Sequence, residues 1–114
     1  MNLKEAMTRA DRLRPNALPD SQKAAWVYEL DGKVAEMMGV PPQENAFPDD
    51  GCLLMPAPYD NIYELYLAAL IDYSHEESAL YTNDMAMFNT AMSEAKAWWR
   101  RQNKPKPCGN VRVM

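Results

Sequence analysis

Between Val34 and Ala95 the chain has no lysine and no arginine, although it holds 12 basic residues over 114 positions. That gap excludes a basic recognition helix in the middle of the chain, where duplex binding would need one. Glycine is also scarce, with four in the whole sequence. Phosphate-cradling loops need several glycines at fixed spacing, so a GxGxxG or Walker site is excluded as a motif. Only one histidine, His75, and two cysteines, Cys52 and Cys108, are present. No CxxC pair exists and His75 has no second ligand at metal-site spacing, so no metal and no cofactor are expected. The cysteines read first as free thiols of a reducing compartment, with an interchain disulfide or a reactive thiol as the alternative. No apolar run approaches the ~18 residues that suggest a membrane span. The opening MNLKEAMTRADRLR carries charge throughout and has no apolar core, which argues against a secretory signal.

What the chain does have is an uneven distribution of charge. Residues 1–33 carry six basic and five acidic side chains, residues 34–95 carry eleven carboxylates, and the last 19 carry six cations and no carboxylate. The net charge of −4 thus conceals blocks of +1, −11 and +6. Hydrophobic residues make up 47% and charged residues 25%, the composition of an ordinary folded domain. The expected organisation is one helical domain over 1–103 followed by an extended tail, 104–114. Within it, 1–40 reads as a helix pair, 41–58 as a Pro-rich loop and 59–103 as a helical hairpin.

The fold class expected is all-α, with about four helices. Leu3, Ala6, Met7, Ala10 and Leu13 follow the i, i+3, i+4, i+7 spacing of an amphipathic helix, which Pro15 ends. Asp20 or Ser21 can cap a second helix that carries Ala24, Val27, Leu30, Val34 and Met37–Met38 and stops at Gly39. Five prolines in 41–58 impose a loop, whose Phe47, Leu53, Leu54 and Met55 favour packing on this subunit or a neighbour. Asp60 can cap a third helix reaching about Tyr73, with Tyr59, Tyr63, Tyr66 and Tyr73 along one face. Glu76–Glu77 suit the first turn of a fourth helix, and Lys96, Arg100 and Arg101 suit its last. Its core stripe is read as Tyr81, Met85, Phe88, Met92, Ala95 and Trp99, which leaves Trp98 for a partner.

Catalytic constellations are not found. Ser74-His75-Glu76 spells the letters of a triad, but adjacent residues cannot converge on one reacting atom. Glu76 and Glu77 point about 100° apart on a helix and read as a solvated helix start. The tyrosine row lacks the basic groove that a base-stacking platform needs. No enzyme activity is therefore expected. The residues expected to touch a partner are Trp98, Trp99, Arg100, Arg101, Lys104, Lys106, Arg112, Tyr59, Tyr63 and Tyr66. Tryptophan, tyrosine and arginine are the types most enriched in interface hot spots.

The stretch LMPAPYDNIYELYLAALIDYSHEESALYTNDMAMFNTAM, then WWRR and NVRV, resembles the head–tail connector (adaptor) proteins of tailed bacteriophages and prophages. The match runs over about 54–113 and departs at Tyr73-Ser74-His75-Glu76, where relatives often read Tyr-Asn-Gly-Glu. The resemblance implies a structural virion-assembly protein, assembled in the bacterial cytoplasm. Its homo-oligomeric ring would join portal and tail-completion proteins and let DNA pass without specific binding, with no membrane and no small-molecule substrate. Head-to-tail contact between a −11 middle and a +6 end is compatible with such a ring. The alternative is a small helical nucleic-acid-binding or regulatory protein that uses the basic C-terminal arm. On the leading reading, Lys104-Pro105-Lys106-Pro107 leaves the last helix as an extended strap and Val111-Arg112-Val113 adds to a partner as an edge strand.

Overall fold

The computed structural model describes residues 1–103. Over that span the chain is all-helical: α1 (Leu3–Leu13), α2 (Asp20–Met38), α3 (Asn61–Ser74) and α4 (Ser78–Asn103), with no strand among the described residues. The strap and edge strand expected for the tail lie outside the described residues.

Local chemistry explains most helix ends. Asn2 caps α1 by accepting the Glu5 N–H at 2.9 Å. α2 begins one or two residues earlier than its sequence suggests. Pro19 occupies the N-cap position and Asp20 is already helical, where its charge favours the positive helix end. Asp60 stands at the N-cap of α3 but makes no side-chain cap hydrogen bond.

α2 and α3 end in the same way. The N–H of Gly39 reaches the Glu36 carbonyl and that of Val40 reaches the Ala35 carbonyl. After α3 the Glu76 and Glu77 N–H groups reach the Tyr73 and Asp72 carbonyls. Both patterns are Schellman closures, which need a left-handed residue. Gly39 supplies it with φ 72°, whereas Glu76 supplies it with φ 58° and a side chain. The expectation that Glu76–Glu77 begin α4 is therefore corrected. They belong to the turn, and α4 starts at Ser78.

Pairings between side chains fix the helix directions. Lys23 meets Asp11, Asp31 meets Tyr63, Glu29 meets Tyr66, and Tyr73 meets Tyr81, so successive helices run up and down. α3 is the central element and packs on all three others, while α4 packs mainly on α3. The core gathers Leu3, Ala6 and Ala10 of α1, Ala24, Val27 and Val34 of α2, and Ile62, Leu67 and Ile71 of α3. Burying each of the larger aliphatics stabilises the fold by about 1.5–3 kcal/mol before cavity effects.

The connection 39–60 lies against its own chain. Leu53 and Met55 are buried, the Leu3 N–H donates to the Gly51 carbonyl at 3.1 Å, and Asn2 pairs with Cys52 in an isolated bridge. Tyr28 bonds the Asp49 carbonyl and accepts the Gly51 N–H, pinning the loop to α2.

Three buried polar clusters join the helices. Asp31 on α2 accepts the Tyr63 hydroxyl and the Leu54 N–H. Lys23, only 3% exposed at its side chain, pairs with Asp11 at 3.0 Å and Asp20 at 3.5 Å. Arg14, just past α1, bonds Asp72 of α3 at 2.9 Å through Nε and reaches Asp84 of α4 through Nη2.

Candidate functional site

Because α4 rests mainly on α3, an open groove is left on its α2 side. Leu30 and Met37 of α2, Tyr66 and Leu70 of α3, and Tyr81, Met85, Phe88 and Met92 of α4 form its apolar floor and walls. Lys33, Glu36, Asn89, Lys96 and Arg100 form its polar edge, and the groove encloses about 820 Å³. The cations cluster toward the C-terminal end of α4. Antiparallel packing of α2 on α3 brings Lys33 to that same end.

The α4 sequence carries two overlapping stripes, and only one is core. Asp84, Phe88, Ala91 and Ala95 are buried, and Trp98 packs against the core beyond them. Met85 and Met92 are half-buried and line the groove. The stripe read from the sequence merged these two faces. It ranked residues by apolarity, while the helix turned an aspartate inward to meet Arg14 and small alanines inward to meet α3.

The residues expected to contact a partner fall into several environments. Tyr63 is fully buried, and its hydroxyl donates to Asp31 at 2.7 Å and accepts the Met55 N–H at 3.0 Å. Burial, then the bond to Asp31, pushes its phenol far above the usual tyrosine range. It is a core bridge and is unavailable to a partner. Tyr59 and Trp98 stack on each other at 5.2 Å between centroids, so Trp98 closes the hairpin within its own chain. Trp99 lies 6.2 Å from Trp98 and is half-buried. Tyr66 lines the groove, donates to Glu29 at 3.1 Å and packs on Phe88; burial, then Glu29, raises its pKa. Arg100 edges the groove and Arg101 is exposed. Lys104, Lys106 and Arg112 lie outside the described residues.

Sequence reasoning missed the α2 wall, Lys33 and Met37, because nothing local shows which helices leave a gap. The doubled stripe on α4 was the available signal. No group of three or more His, Cys, Asp or Glu side chains among the described residues is placed to hold a metal ion. No described helix is long and apolar enough to cross a membrane.

With this geometry in hand, comparison with known proteins gives one result. The family model described as Atg1-like, MIT domain 1 matches residues 7–113. The chain belongs to that family. No curated protein and no solved structure matches the chain.

Membership of the Atg1-like MIT family overturns the bacteriophage connector resemblance. The readings built on it fall with it: the virion-assembly role, the portal and tail partners, the ring, and the location in a virion. A physical reason lies in the residues that carried the likeness. Tyr59, Tyr63, Tyr66, Tyr81, Phe88 and Trp98 all serve the closure of α3 on α4 or the packing beside it. Such residues report an aromatic helical hairpin, which unrelated families build in the same way.

Proposed function

We propose that this MIT-family chain is a non-catalytic interaction module that receives an amphipathic partner helix in the groove between α2 and α4. The observation that carries this reading is the groove itself, where half-buried Met37, Tyr66, Leu70, Met85 and Met92 lie over buried Leu30 and Phe88, flanked by Lys33, Lys96 and Arg100. Flexible methionines suit a surface that repacks around an incoming side chain. Helix-in-groove recognition uses apolar anchors at i, i+3, i+4 and i+7, and the cations favour carboxylates on the partner's flank. Family membership favours a partner from the autophagy machinery over a virion component.

The test is a titration of the isotope-labelled full chain with a synthetic amphipathic helix bearing leucine anchors and flanking glutamates, followed by amide chemical shifts. Shifts should concentrate at Leu30, Met37, Met85 and Met92. Met85→Glu should weaken binding at least tenfold while helical circular dichroism is unchanged. Absence of groove shifts at millimolar peptide would overturn the reading.

A further inference from the structure

The groove continues beyond Met85. Tyr81 walls it at the N-terminal end of α4 and also walls a second cleft of about 680 Å³ at the α3–α4 turn. There Tyr73 is 69% exposed, and its ring lies 5.5 Å from that of Tyr81 with the planes 52° apart. Glu76, Glu77, Ser74, Ser78 and Thr82 complete the lining, with no lysine or arginine among them. An exposed tyrosine ring and a half-buried one beside two exposed carboxylates match an ammonium or guanidinium group. A cation within about 6 Å of such a ring is attracted by its quadrupole, and the carboxylates add a direct ion pair.

The opposite end of the groove has the reverse sign, since Lys33, Lys96 and Arg100 outnumber Glu36. Tyr81 and Arg100, both on α4, lie 19 positions apart, about 28 Å along the helix axis at ~1.5 Å per residue. A helical ligand of some 20 residues therefore meets positive charge at one end and an aromatic–acidic cleft at the other. Helices favour acidic residues in their first turn and basic residues in their last.

Resting on the groove reading, we propose that the Tyr73–Tyr81 cleft is a cation-binding subsite that seats the basic C-terminal end of the partner helix. The partner then runs antiparallel to α4, with its acidic first turn beside Lys96 and Arg100. The subsite fixes direction, while the apolar groove supplies anchoring. Direction is a separable property, because an apolar stripe alone accepts a helix either way.

Two synthetic 20-residue helices with identical leucine anchors test this on the full chain, one with acidic N-terminal and basic C-terminal turns, the other with the charges exchanged. Each carries a nitroxide at its N-terminus. The first peptide should bind at least tenfold more tightly, and its label should broaden amides near Lys96 and Arg100. Tyr73→Ala should weaken it about fivefold, whereas Tyr73→Phe, which keeps the ring, should not. Equal affinities, broadening at 73–82, or an inert Tyr73→Ala would each overturn the subsite and leave the groove reading standing. Groove binding by neither peptide would overturn both.

Discussion

The Tyr63 hydroxyl donates to Asp31 Oδ1 at 2.7 Å while accepting the Met55 N–H at 3.0 Å. One oxygen thereby ties α3 to α2 and to the loop between them. Tyr63→Phe leaves the Met55 N–H without its acceptor and Asp31 without one donor. The expected cost is about 1–3 kcal/mol, read as a lower urea midpoint at unchanged m-value.

Asp72 gives the fold a pH dependence. Burial, followed by the proximity of Asp84, raises its pKa from 3.8 to about 6, and Arg14 only partly opposes this. A carboxyl whose folded pKa is raised contributes stability that is fully present below its unfolded pKa and is lost as pH rises through the folded value. Stability from this group therefore falls between about pH 4 and pH 6. Asp72→Asn removes that titration while its amide still accepts from Arg14 and can donate to Asp84. The variant's gain on the wild type should grow from little at pH 4 to roughly 1–3 kcal/mol by pH 7. Parallel melting curves over that range check the sign.

Lys23 and Asp11 are unequal partners. Lys23 is buried, whereas the Asp11 side chain is 42% exposed. Asp11→Ala strands a buried ammonium with only the more distant Asp20. Lys23→Met removes the charge and keeps the volume. Breaking a buried pair costs more than replacing its charge by an apolar group, so Asp11→Ala should lower the melting temperature more than Lys23→Met does.

Two Schellman turns with different left-handed residues form a controlled comparison. Gly39→Ala should destabilise by about 1 kcal/mol, because φ 72° disfavours a Cβ. Glu76→Gly should stabilise by a similar amount, since the same geometry then carries no side-chain strain. Thermal unfolding of the two variants should move in opposite directions.

The Tyr59–Trp98 stack joins the start of α3 to the last turns of α4. A double-mutant cycle with Tyr59→Leu and Trp98→Leu should give a coupling of about 0.5–1.5 kcal/mol. A coupling near zero would mean that the rings merely adjoin.

Helix number and approximate boundaries were legible in the sequence because they depend on local chemistry. Pro15, Gly39 and the spacing of Leu3, Ala6 and Ala10 act within a few residues of themselves. The family likeness was misleading, since aromatic residues that close a hairpin are shared by unrelated proteins. The phase of α4 was ambiguous because Met85 and Met92 are as apolar as any core residue. Only tertiary packing decided that they face a groove while Asp84 turns inward. That decision rests on Arg14, which lies 70 positions from Asp84 and meets it only once α1, α3 and α4 are assembled. The groove has the same origin. By itself the sequence determined which faces of each helix are apolar; the tertiary structure decided which of those faces are covered, because α4 finds most of its contacts on α3 and leaves its α2 side open.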